Sequence, residues 1–176
     1  MSDRWLSAAL LVGCASKGPT DRPVHSPPDD APRTAEELVE QLEDEGALPA
    51  LDRTDSVGGI DADDDGIRDD VEAYIDTHFP PLVAPARQLA AALQSSLLVD
   101  RAGAEALGAV AVEIARAVDC VQRSGRFVEN MQDDPDVIDD LQSITANTKR
   151  RMLRYVAFNA ALAGTLSFPL QGEVCD

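Results

Sequence analysis

From Thr34 onward the hydrophobic positions recur every three to four residues, and no stretch alternates as a strand would. Thr34-Ala-Glu-Glu37 has the spacing of a capping box. Leu38, Val39 and Leu42 follow it, which predicts a helix from about 34 to 45 with Gly46 as its C-cap. Val71, Tyr74, Ile75 and His78 fall at i, i+3, i+4 and i+7 and predict a second helix that stops at Pro80-Pro81. Leu82, Ala86, Leu89, Leu93 and Leu97 mark a third, and Leu107, Val110, Ala111, Ile114, Val118 and Val121 a fourth. Asp134-Pro135 has the form of an N-cap followed by proline at the first helical position. After it, Val137, Leu141, Ile144, Thr148, Met152, Tyr155, Asn159, Leu162 and Leu166 predict one long helix ending near Pro169. Helices with single apolar stripes must cover one another, so the expected fold is all-α, a small helical bundle over residues 34–176.

Between the first two helices lies the stretch that departs from this pattern. Residues 52–60 contain Gly58-Gly59 and no helical period, and then Asp61 to Glu72 reads D-A-D-D-D-G-I-R-D-D-V-E. Carboxylates stand at positions 1, 3, 5, 9 and 12 of these twelve residues, with Gly66 at position 6. Calcium takes six to eight oxygen ligands at roughly 2.3–2.6 Å, and a short loop can supply them only if alternate residues point inward. Asp61, Asp63 and Asp65 are therefore the expected first ligands. Ile67 would offer its carbonyl, Asp69 would bind directly or through water, and Glu72 would close the shell with both oxygens. Asp64 and Asp70 are expected to point away.

The spacing resembles an EF-hand loop, and the D-x-D-x-D-G-I-x-D-D form is similar to the calcium repeats of bacterial thrombospondin type 3 modules. The resemblance covers about a dozen residues and implies Ca²⁺ ligation at the matching positions. Two features depart from the EF-hand pattern: no entering helix precedes the loop, and position 8 is Arg68 where an apolar residue is usual.

Charge sharpens this picture. The net charge is −17, and eighteen of the thirty-two acidic residues lie between Asp29 and Asp76 against three basic ones. Such self-repulsion is expected to leave the segment loose until a cation or a basic partner arrives, and it argues against nucleic acid. The one basic cluster, Lys149, Arg150, Arg151 and Arg154, is read as a solvated helix face; docking of the acidic segment 36–45 or of an anionic surface is the alternative.

At the N-terminus, Arg4 precedes a short apolar stretch, Trp5 to Val12, and then Leu11-Val12-Gly13-Cys14. This resembles the lipobox of bacterial lipoproteins, and the run is far below the ~20 residues of a membrane-spanning helix. The resemblance implies a signal peptide over 1–13, lipidation of Cys14 and, by analogy, attachment to the outer membrane with the domain facing the periplasm or the cell surface. Residues 14–33 carry Pro19, Pro23, Pro27, Pro28 and Pro32 among small polar residues, the composition of a flexible tether. With Cys14 set aside, Cys120 and Cys175 remain, an even pair that points to a disulfide in an exported chain.

No nucleophile motif, phosphate loop or His-rich site is present, so an enzyme is not expected. Two functional readings follow. One is a calcium-binding envelope lipoprotein with a structural or adaptor role, held to the membrane by its lipid and able to meet a protein partner in the envelope. The other is an acidic periplasmic inhibitor or immunity-type protein that captures a basic enzyme.

Overall fold

The structure is a computed structural model, and it describes residues 34–100, 103–126, 137–164 and 172–176. The lipobox with Cys14, the Pro-rich segment, Asp134-Pro135 and Pro169 lie outside these residues. The described elements are α1 (Ala35–Asp44), α2 (Asp69–His78), a 3₁₀ turn (Pro80–Leu82), α3 (Val83–Leu98), α4 (Ala104–Gly125), α5 (Val137–Thr145) and α6 (Lys149–Leu162), with no strand among them. The fold is an all-α bundle.

α3 is its axis. Leu89 and Leu93 are fully buried along it, and it packs against α2, α4, α5 and α6. The apolar positions of α2 (Val71, Ile75), α4 (Ala117, Val121) and α5 (Val137, Leu141, Ile144) close the core around it. Ile67 and Phe79 join the same cluster from either end of α2, so the acidic loop is rooted in the core by the residue next to its glycine. α1 stands apart. Its capping box forms as the sequence predicts, with Thr34 accepting from the Glu37 N–H and Glu37 accepting from the Thr34 N–H, but the helix buries no residue. Glu43 fastens it instead, accepting from the Leu51 N–H and the Arg53 guanidinium.

The single long helix expected after Val137 is two helices. Thr148 is extended (φ −112°, ψ 156°) and caps α6, its hydroxyl accepting from the Arg151 N–H. The break resets the helical phase. Arg151 and Phe158 become the buried positions of α6, while Met152 and Asn159, expected in the stripe, are exposed. α6 ends at Leu162, before the expected stop.

Cys120, buried in α4, and Cys175 lie at disulfide distance, with sulfur atoms 2.10 Å apart. The tail is fixed on both sides of Cys175. The Gln88 amide donates to the Val174 carbonyl at 2.9 Å, and its oxygen accepts from the Asp176 N–H at 3.3 Å.

Candidate metal centre

The loop is closed at its base by the Asp69 N–H donating to the Ile60 carbonyl at 3.0 Å. Inside it the carboxylates organise the backbone. Asp61 accepts from the N–H groups of Asp65 (3.2 Å) and Gly66 (2.9 Å), and Asp65 accepts from the Ile67 N–H at 2.8 Å. These bonds need a reversal at position 6, and Gly66 supplies it with φ +88°, where a side chain would be strained.

Asp61, Asp63 and Asp65 converge. Each offers one carboxylate oxygen, and the three atoms lie within 4.8 Å of one another. Two ligands on opposite sides of a calcium ion stand about twice a Ca–O bond apart, roughly 4.6–5.2 Å, so the three oxygens fit a single hard cation. Asp63 and Asp65 are exposed and Asp61 is half-buried, so an ion can reach them.

The remaining expected ligands are placed differently. Asp69 accepts from the Ala62 N–H at 2.9 Å, bracing the start of the loop. Glu72 lies outside the trio and pairs with Arg87 of α3 at 3.0 Å. Burial raises the Glu72 pKa, and repulsion from Asp65, Asp63 and Asp69 adds to this against the attraction of Arg87. The Glu72 carboxylate is thus within the field of the loop without being gathered into it. Ile67 turns its side chain into the core.

What holds the loop in place is a buried chain of ion pairs. Arg68 is fully buried; its guanidinium grips Asp70 in a two-pronged pair at 2.8 and 2.7 Å and donates to the carbonyls of Ile144 (3.2 Å) and Thr145 (3.1 Å). Those carbonyls end α5 and have no partner within the helix, because the chain breaks there. Asp70 also accepts from the Asp52 N–H at 2.8 Å. Asp52 in turn accepts from Arg151 at 2.9 Å, and Arg151 is likewise fully buried. Burial pushes the Asp52 carboxyl up, but hydrogen bonds from Thr54 and then from Arg151 hold it below the usual carboxylate range. Gly59 permits this crossing. It has φ +74°, and a Cβ there would collide with the Arg68 stem.

The basic cluster of α6 is only partly a solvated face: Lys149 and Arg150 are exposed, whereas Arg151 is fully buried. It grips residues 52–57 rather than 36–45: Arg151 donates to the carbonyls of Asp52 and Val57, and Arg150 to that of Asp55. Arg154 donates to the Leu97 carbonyl at the end of α3. Asn147 adds a bond to the Asp52 carbonyl, and Gln94 of α3 one to that of Gly58. Three cations in the first turn of a helix oppose its dipole, and these acceptors offset that. Residues 52–58 are thus tied to the bundle by its own donors.

Asp70 points away from the trio as expected, but into this network. Arg68, Asp52, Arg151 and Arg87 escaped the sequence reading. A signal existed for Arg151, which lies seven residues before Phe158 on the buried phase of α6. Tyr74 shows a second tie between α2 and α5, donating to Asp140 at 3.1 Å; burial, with Asp140 beside it, pushes its pKa up to about 12. His78 stacks on Tyr74 with ring centroids 4.0 Å apart and bonds the Tyr74 carbonyl, an ordinary helix-end role. No protein-family model, curated protein or solved structure matches the chain.

Proposed function

We propose that this chain is a calcium-binding lipoprotein of the bacterial envelope, with a structural or adaptor role and no catalytic one. The observation that carries the reading is the convergence of Asp61, Asp63 and Asp65 within a loop whose base is closed and whose flank is fastened to the bundle. Three hard oxygen donors, gathered with no sulfur or imidazole in their group among the described residues, suit Ca²⁺. Ile67 through its carbonyl, Asp69 and Glu72 are the residues of this chain that would complete its shell. When bound, the ion neutralises the repulsion among the carboxylates and joins the two arms of the loop.

The lipobox at Leu11–Cys14 supports membrane attachment through a lipid on Cys14, and no helix among the described residues is long and apolar enough to cross a membrane. Detergent-phase partitioning of the chain expressed in bacteria tests this part. Wild type is expected in the detergent phase and Cys14→Ser in the aqueous phase; wild type recovered unprocessed from the aqueous phase contradicts it.

A further inference from the structure

The geometry points to Arg87 as a built-in competitor of calcium for Glu72, so that the ion completes its shell only by taking this carboxylate from α3. The inference rests on the calcium reading above and names the regulation of that same site. Glu72 and Asp76 stand one turn apart on α2, and Arg87 reaches across from α3 to both. Its Nη1 lies 3.0 Å from Glu72, and its Nη2 lies 3.3 Å from each oxygen of Asp76. The ring of the loop is thereby left open at position 12. Asp61, Asp63 and Asp65 are gathered, and Glu72, the carboxylate expected to close the shell with both oxygens, is paired with a guanidinium instead.

The competition is for the same Glu72 oxygens. Ca²⁺ at the trio cancels part of the negative field that holds the guanidinium, and a Glu72 oxygen turned to the ion gives up its 3.0 Å contact with Arg87. Arg87 has somewhere to go. Asp76 stays within its reach, and its head borders a groove of about 440 Å³ between α3 and α4, lined by Ile67, Ala91, Val110 and Glu113. Its Nε is buried and without a hydrogen-bond partner among the described residues, so the guanidinium is only partly satisfied where it stands. By linkage, whatever factor Arg87 takes from calcium affinity, calcium takes from the Arg87–Glu72 pair.

Calcium titration of the full chain by calorimetry at about 0.15 M ionic strength tests this with Arg87→Gln and Arg123→Gln. The second variant removes the same charge from an ion pair within α4, with Asp119. The Arg87 side chain is 37% exposed, so its replacement leaves the core intact, which melting curves verify. Arg87→Gln is expected to tighten calcium binding about fivefold or more, the lower end of typical coupling, while Arg123→Gln changes it less than about twofold by distant charge alone. Unchanged or weaker binding by Arg87→Gln overturns the inference and leaves the calcium site standing. Equal tightening by both variants overturns it in favour of a diffuse charge effect. A wild-type chain that takes up no calcium overturns the calcium reading and this inference with it.

Discussion

The guanidinium of Arg68 donates to the carbonyl oxygen of Thr145 at 3.1 Å across 77 positions of sequence, so a residue of the acidic loop caps the end of α5. One side chain thus joins the proposed ion site to the corner between α5 and α6. Loop and bundle form one packed unit through it.

Removing Arg68 should therefore cost far more than a surface charge would. Arg68→Met leaves Asp70 without its partner and orphans the carbonyls of Ile144 and Thr145 in a buried place. Breaking a buried pair from one side destabilises by about 3–5 kcal/mol. Arg68→Met with Asp70→Leu should recover part of this, because no unpaired charge then remains. Chemical denaturation of the three proteins checks the order. A loss below about 1 kcal/mol for Arg68→Met, the scale of an exposed pair, would show that the network carries no stability.

Asp52 gives the network a pH dependence of definite sign. Its pKa is depressed in the folded protein, by Thr54 and Arg151 acting against burial, so the unfolded chain binds this proton first as pH falls. The stability it contributes is fully present above its unfolded value of 3.8 and is lost as pH falls through the lower folded value. Melting curves of wild type and Asp52→Asn should differ by a constant amount down to about pH 5 and converge as pH falls below 3.8 and through the lower folded value. A difference already gone at neutral pH contradicts the role given to the Asp52 carboxylate.

The cysteine pair closes a loop with a sequence separation of 55 that contains α5 and α6. On the chain-entropy account such a bond stabilises by about 4 kcal/mol. Reduction, or Cys120→Ser with Cys175→Ser, should lower the melting temperature accordingly and release the tail from Gln88. Free thiols at both positions in protein purified without reductant would rule the bond out.

The helices and the acidic trio are legible in the sequence because each depends on residues close together in the chain. The stripe Leu82 to Leu97 names buried side chains of the 3₁₀ turn and α3, Thr34 and Glu37 name their own cap, and Asp61, Asp63 and Asp65 are spaced to converge. What the sequence hides is long-range. A periodic stripe from Val137 to Leu166 reads as one helix, since nothing local says that Arg68 will serve the carbonyls at Ile144 and Thr145 and let the chain break there. The basic cluster Lys149, Arg150, Arg151 and Arg154 reads as solvated for the same reason. Only the arrival of residues 52–57 against α6 turns Arg151 inward. Glu72 has ligand spacing, yet its partner, Arg87, belongs to the next helix.

Calcium binding by the trio is the claim on which the functional reading depends, and titration of Ca²⁺ into the full chain, with melting curves alongside, tests it most directly. Seven carboxylates lie within Asp61–Glu72, so charge alone could attract cations; the variants separate a site from a patch. Asp61→Ala and Asp65→Ala should abolish the heat of binding, whereas Asp64→Ala, an exposed residue outside the trio, should preserve it. Asp70→Ala is no neutral control, because it breaks the Arg68 pair. A single loop of this kind should bind one ion with Kd on the order of 10⁻⁴ M, with Mg²⁺ a poor substitute. At ten times that concentration the ion should stabilise the fold by roughly 1.4 kcal/mol. One site with that pattern of variants is the predicted result; equal effects of Asp61→Ala, Asp64→Ala and Asp65→Ala, or no saturable binding by wild type, would contradict it.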